Sequence, residues 1–278
     1  MQLRCGSHTL DLTTPVVMGI LNVTPDSFSD GGQFAEHSRA VDHALGMIEA
    51  GAGIVDVGGE STRPGAAAVS EEEEMRRVVP IVEALLRHAP SIPVSVDTSK
   101  AAVIRAAVQA GAAMINDVRA LRDEGALQAA AQSSAAVCLM HMRGEPRTMQ
   151  SDPRYDDVVT EVRDFLAERI AACEAAGISR DRIVADPGIG FGKRLEHNLK
   201  LLAALPELAT LRVPLLVGVS RKSIFATLLG RPVEERMAGG LAVAVTSVLA
   251  GARLLRVHDV AETVDAVKVV TALKASGY

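Results

Sequence analysis

Val16–Gly32 reads VVMGILNVTPDSFSDGG. Seven uncharged residues, enough for one buried strand, stop at Asn22 and give way to a mostly polar stretch punctuated by Pro25, Gly31 and Gly32 and tipped by one aromatic, Phe28. A plain connector needs none of this; loops of such composition carry function on a rigid frame. The same phrase, an apolar run that ends in a polar group, recurs along the chain. The runs are VVMGILN (16–22), IVDVGGE (54–60), PVSVDTS (93–99), MINDV (114–118), AVCLMH (136–141), IVADPG (183–188), PLLVGVS (214–220) and LLRVHD (254–259). Amphipathic segments lie between them. SEEEEMRRVVPIVEALLRHA places Ser70 and Glu73 at capping-box spacing, with Pro80 as a bend. Other segments end at Gly51, Gly111 and Gly177, where a helix accepts left-handed geometry at little cost. Eight strand–helix repeats predict an α/β fold: a single (β/α)8 TIM barrel over 1–278, one domain, with long first and second βα loops. A doubly wound open sheet is the rival, but it gathers its site at one switch point, not at every strand end.

Composition agrees. The chain has 278 residues, close to the ~250 of one barrel. It is 48% hydrophobic but only 3% aromatic, with no Trp. Its core must therefore be built from Ala, Val, Leu and Ile, as buried parallel strands under Ala-rich helices are. A net charge of −5 argues against a nucleic-acid partner. Cys5, Cys138 and Cys173 form no CxxC pair and are odd in number, which points to a reducing compartment. The start, MQLRCGSHTLDL, lacks the apolar run of a signal peptide. The longest uncharged run, Met237 to Ala252, falls short of the ~18 residues of a spanning helix. A cytoplasmic protein without a membrane partner is expected.

In order, the strand ends offer Asn22, Glu60, Asp97, Asn116, His141, Asp186, Ser220 with Lys222, and Arg256 with His258. A closed barrel gathers such ends into one mouth, where sites are built. The groups split by sign. The third, fourth and sixth strands bring Asp97, Asn116 and Asp186; the last two bring Lys222, Arg256 and His258. Arg256 and His258 are two apart and share a strand face. Their planar fork and ring donor suit phosphate oxygens, and an ion pair of Arg256 with Asp259 is the plainer alternative. Asp97 and Asp186 admit three readings. They hold a metal, although no His or Glu cluster accompanies them. They cap the following helices. Or they accept from a flat, N–H-rich edge such as a 2-aminopyrimidinone, with Lys222 donating to a ring carbonyl or nitrogen.

DPGIGFGKR imitates a phosphate loop without being one, because GxxxxGK[ST] requires Gly at Pro187 and Ser or Thr at Arg194. GxGxxG requires Gly at Lys193. Its glycines serve a tight turn near a ligand, with Phe191 left to pack on it. His141 has no partner at metal-ligand spacing and reads as a packed or loop-pinning histidine.

Taken together, MGILNVTPDSFSDGG, DVGGESTRPGA, SVDTSK, INDV, LMHMRGEPRTMQ, DPGIGFGK, GVSRKS and RVHDV resemble the dihydropteroate synthase family, pterin-binding barrels of folate biosynthesis and sulfonamide targets. The resemblance runs from Val16 to His258; Ile189 stands where many members carry an aromatic. It implies condensation of 6-hydroxymethyl-7,8-dihydropterin diphosphate with 4-aminobenzoate. Asp97, Asn116, Asp186 and Lys222 would hold the pterin. Thr62, Arg256 and His258 would hold the diphosphate, and Asn22 would ligate Mg²⁺ with it. Phe28, Thr62, Arg63, Pro64, Phe191 and Ser220 would line the 4-aminobenzoate site. The first loop would be a lid, with Asp30 bearing on developing charge; Asp30, Asp97 and Lys222 would be the catalytic groups of a dissociative substitution. A homodimer through the Ala-rich late helices is implied as well. The rival functions are a corrinoid-linked pterin methyltransferase domain and a non-catalytic pterin-binding paralogue.

Overall fold

Parallel strands covered on both faces need apolar residues at nearly every position, and Ile54–Gly58 is buried at all five. In the computed structural model, which describes residues 1–23, 32–61, 68–145 and 148–277 apart from the side chains of 32–36, the eight runs become eight parallel strands. They are β3 (Val16–Asn22), β4 (Ile54–Gly58), β5 (Val94–Asp97), β6 (Met114–Asp117), β7 (Ala136–Met140), β8 (Ile183–Asp186), β9 (Leu216–Val217) and β10 (Leu254–Val257). They pair in the order β8-β7-β6-β5-β4-β3-β10-β9. The circle closes where Ala185 bridges Leu215 and its N–H donates to the Pro214 carbonyl at 2.9 Å. The (β/α)8 barrel is thus the observed architecture. β9 is shorter than the 214–220 run: Pro214 brings no N–H to a ladder, and the ladder ends at Val217.

Helices α1 (Gly32–Glu49), α2 (Glu71–His88), α3 (Ala101–Gln109), α4 (Ala126–Ala131), α5 (Val158–Ala175), α6 (Leu195–Ala203), α7 (Leu205–Leu208), α8 (Ile224–Leu229), α9 (Met237–Leu249) and α10 (Val260–Ala275) surround it. Gly51, Gly111 and Gly177 follow α1, α3 and α5 with φ of 102°, 106° and 91°. α2 runs through Pro80 unbroken. Its capping box is only half made. Ser70 Oγ accepts from Glu73 N at 3.2 Å, but the Glu73 carboxylate turns to Arg76 and Arg77, stronger partners than a backbone N–H. No described helix is long and apolar enough to cross a membrane.

One element lies outside the eight repeats. The antiparallel hairpin of β1 (Gln2–Cys5) and β2 (His8–Asp11) buries Leu3 and Cys5, and Leu12 follows it inside. These pack against Met18, Ile54, Met114, Ala136, Cys138, Val184, Leu216 and Leu254, the apolar lower interior of the barrel. A second, larger core fills the space between barrel and helices. Because successive strand residues alternate sides, every second residue above that lower layer also faces inward. The inward set therefore includes Asn22, Asp56, Gly58, Ser95, Asp97, Asn116, Met140, Asp186 and Arg256.

Candidate active site

Strand register builds the mouth in rows. Asn22, Gly58, Asp97, Asn116 and Cys138 pair successively across β3 to β7. One layer deeper, Ile20, Asp56, Ser95 and Met114 form the next row. On the far side Met140 pairs with Asp186.

The charges in these rows interlock. Arg256 spans the barrel; its Nε donates to Asp56 Oδ2 at 2.6 Å and its Nη2 to Asp97 Oδ2 at 2.7 Å. Asn116 Nδ2 donates to the same Asp56 oxygen at 3.0 Å. Anionic and cationic sides were expected to stand apart around the ring; instead they meet over Asp56 and Asp97, since a buried guanidinium without a partner is costly. The Arg256–Asp259 pair does not form. Asp259 pairs with Arg221 at 2.5 Å. Burial opposes the charge on Arg256, but Asp56 and Asp97 outweigh it and raise its pKa. Burial pushes the Asp97 carboxyl up to about 7 against the pull of Arg256.

Neither acid caps a helix. α3 starts after Lys100 without a side-chain cap. Asp186 Oδ1 accepts from Gly188 N at 2.7 Å, a turn well ahead of α6. Burial raises the Asp186 pKa, opposed by Lys222 and that turn hydrogen bond. Lys222 reaches in from past β9. Its Nζ donates to the Ile189 carbonyl and sits 4.4 Å from the centre of the Phe191 ring, a cation–π contact. Burial lowers Lys222 to about 8, with Asp186 holding it up. Phe191 packs on Val118, Met140, Met142 and Met149, the apolar wall of the mouth.

The glycine turn that carries Phe191 has little freedom. A Cβ on Gly188 would meet the His141 carbonyl oxygen at 1.9 Å, and one on Gly192 the Arg143 carbonyl oxygen at 2.2 Å. Both have positive φ, 67° and 62°, which glycine adopts freely. Beneath the turn, buried Lys193 donates to the carbonyls of Gly188 at 2.9 Å and Phe191 at 3.0 Å, and lies 2.9 Å from His141 Nδ1. His141 stacks edge-on against Phe165 at 4.9 Å. Burial, and then Lys193, push His141 down to about 2, so the imidazole is neutral. It pins the loop, as its sequence position suggested.

Two of the eight strand ends therefore do not reach the mouth. His141 follows inward-facing Met140 and so turns outward toward α5. Glu60 is a rim clamp: Oε1 accepts from Val69 N at 3.1 Å and Oε2 from Lys100 Nζ at 2.6 Å, tying the root of the second loop. Lys100 also pairs with buried Glu74 at 2.5 Å. The converging set is Asn22, Asp97, Asn116, Asp186, Ser220, Lys222 and Arg256. His258 stands beside Ser220, whose Oγ accepts from His258 N at 3.1 Å and lies 3.1 Å from its Nδ1. Phe28, Asp30, Thr62, Arg63 and Pro64 lie outside the described residues.

Sequence reasoning missed Asp56 and Lys193. The signal for Asp56 was a lone charge inside an otherwise apolar strand, IVDVG, which must face the barrel interior and find a cation. No group of three His, Cys, Asp or Glu that could hold a metal occurs among the described residues. Among the described residues, the Asn22 amide oxygen is one neutral donor at the end of β3. A Cβ on Gly58 would stand 3.7 Å from Asn22 Oδ1 and 3.6 Å from the Asp97 Cβ, so glycine keeps the space between them open. One neutral oxygen beside an open cradle fits a hard ion whose other ligands are phosphate oxygens and water.

Comparison with known proteins agrees with this geometry. The family model described as pterin binding enzyme matches residues 18–258. Dihydropteroate synthase of Escherichia coli strain K12 is 55% identical over 272 residues, covering 98% of this chain and 96% of that protein. The Yersinia pestis dihydropteroate synthase in a sulfonamide drug complex superposes with a TM-score of 0.94 at 53% identity, covering 99% of this chain and 100% of the other. Xanthomonas albilineans dihydropteroate synthase with 4-aminobenzoic acid gives 0.93 at 53% identity, with 99% and 98% covered. The chain belongs to the dihydropteroate synthases, transferases of folate biosynthesis within the pterin-binding enzyme family.

Proposed function

We propose that the chain works as one barrel domain over 1–278 and joins 6-hydroxymethyl-7,8-dihydropterin diphosphate to 4-aminobenzoate, giving 7,8-dihydropteroate and diphosphate. The observation that carries this reading is the single mouth in which Asp97, Asn116 and Asp186 stand with Lys222 and Arg256. Carboxylates and an amide oxygen accept from the N–H-rich edge of the pterin. Lys222 donates to the ring. Arg256 spends one Nε–H and one Nη2–H on Asp56 and Asp97, which leaves further donors for the diphosphate, shared with His258 and Thr62. Phe191 and Ser220, with Phe28, Thr62, Arg63 and Pro64, receive the aromatic acid, as the Xanthomonas albilineans relative receives 4-aminobenzoic acid.

The C–O bond from the pterin methylene to the diphosphate breaks, and a C–N bond to the aryl amine forms, with loss of an amine proton. Asp97 and Asp186 favour the cationic ring that develops; Arg256, Lys222 and His258 favour the departing anion. Asp30 bears on the developing charge from the first loop. Fixed charges and positioning supply the acceleration, without a protein nucleophile. Asn22 would hold Mg²⁺, which supplies countercharge to the diphosphate oxygens when bound.

The active form is a homodimer through the late helices. Met237 on α9 and Val269 and Leu273 on α10 are exposed apolar side chains that support a partner there. A cytoplasmic site of action suits the three cysteines, all free. The deciding experiment incubates both substrates with the protein and Mg²⁺ and looks by mass spectrometry for 7,8-dihydropteroate with stoichiometric diphosphate. No product from the wild-type chain overturns the reading.

A further inference from the structure

Asp56 has no role in the reading above, yet it lies under all of it. It is fully buried on β4, one layer below the row of Gly58, Asp97 and Asn116. Its Oδ2 takes hydrogen bonds from both Arg256 and Asn116. Its Oδ1 and the hydroxyl of Ser95, its neighbour in register, have no hydrogen-bond partner among the described residues. A buried carboxylate with a half-satisfied head is expensive to keep. Sheet packing does not ask for it, because Ile54, two residues earlier on the same strand, and Ile20 and Met114 in its own row are apolar.

Its chemistry has a directional consequence. A carboxylate beside Arg256 only accepts, so the Asn116 side chain must present its NH₂ to it. The two ends of a planar amide diverge. With NH₂ turned down toward Asp56, the carbonyl oxygen of Asn116 points away from the floor, toward the mouth. The same Asp56 oxygen fixes Arg256 through Nε and brings Nη2 to Asp97 Oδ2. That leaves Asp97 Oδ1 as the second acceptor. We propose that Asp56 is a positioning residue that sets the polarity of the heterocycle site: through Asn116 and Arg256 it makes the floor a row of acceptors, matched to a ring edge that carries adjacent N–H donors. This rests on the pterin reading given above and adds the group that enforces it. In place of Asp56, a neutral amide could donate as well as accept, and Asn116 would be free to turn over.

The test uses the full chain and measures binding apart from turnover. Calorimetry follows 6-hydroxymethyl-7,8-dihydropterin with wild type, Asp56→Asn and the exchange that combines Asp56→Asn with Asn116→Asp. The single variant is expected to bind about tenfold or more weakly, the loss of one charge-assisted contact, while its KM for 4-aminobenzoate stays within about twofold. The exchange places an amide below and a carboxylate above, so the lower amide donates to the upper carboxylate and an acceptor again faces the mouth. It is expected to recover most of the affinity. Wild-type affinity in Asp56→Asn overturns the proposal. So does a loss that the exchange fails to restore, or one shared equally by both substrates, since either marks a structural role. A wild-type chain that makes no dihydropteroate overturns the functional reading instead, and calorimetry separates the two.

Discussion

Removing the Asp97 carboxylate tests the site most directly. One of its oxygens, Oδ2, is committed to Arg256 at 2.7 Å, which leaves Oδ1 for the ligand. A hydrogen bond to a charged partner is worth about 1.5–3 kcal/mol. Asp97→Ala should therefore weaken pterin binding by about 2 kcal/mol, roughly 30-fold in Kd. The loss of the Arg256 contact adds little to that figure, because Arg256 is deprived of it in the free and bound protein alike and keeps Asp56 at 2.6 Å. Calorimetric titration of 6-hydroxymethyl-7,8-dihydropterin gives the number. The pH dependence supplies a control within the same assay. Burial raises Asp97 to about 7, so below that pH a proton competes with the ligand for the acceptor. Wild-type affinity should fall as pH drops from about 7, by at most roughly tenfold per unit, and Asp97→Ala should lose this dependence. A Kd within about threefold of wild type, or an unchanged pH dependence in the variant, refutes the reasoning.

Other outcomes follow from the same geometry. Lys222 is lowered to about 8 by burial, so it loses its charge in the free protein as pH rises through that value. The kcat/KM for the pterin diphosphate should decline above about 8, and a flat profile to about pH 9.5 would contradict its role as a cation. Gly188→Ala puts a Cβ 1.9 Å from the His141 carbonyl oxygen at φ of 67°; chemical denaturation should show a loss of more than about 3 kcal/mol. Lys100→Met strands fully buried Glu74 at a cost of about 3–5 kcal/mol. Adding Glu74→Gln should return part of it, as read from urea midpoints at constant m-value.

Much of this architecture can be read from the chain, because period and parity are properties of sequence. Eight apolar runs with polar ends specify the barrel, and the residues of one parity specify its inner face. The failures share a cause: neither register nor depth is written in a single strand. His141 is legible as a pinned histidine, but that its strand end faces away from the mouth shows only once Met140 is seen to pair with Asp186. Asp56 lies mid-strand, two residues before the strand end, where an ion is unexpected until its partner from β10 is known. Lys193 belongs to a motif whose glycines draw the attention, and its partners are backbone carbonyls that composition does not reveal. The opening hairpin went unread because its alternation spans only four residues, Gln2–Cys5 with every second one buried.

That hairpin also bears on the order in which the molecule is assembled. It is synthesised before most of the residues it packs on, the last of them Leu216 and Leu254. Gly6 N bonds to the Ser134 carbonyl at 3.1 Å, Val16 N to the Arg253 carbonyl at 2.9 Å, and Arg253 reaches back to the Thr13 carbonyl at 3.3 Å. Leu3, Cys5 and Leu12 pack on an interior that is not complete until Leu216 and Leu254 are synthesised. Contacts between such distant partners make folding slow. The N-terminal segment is thus a cork fitted after the vessel is formed, and nascent chains stalled before Arg253 should leave it digestible by protease.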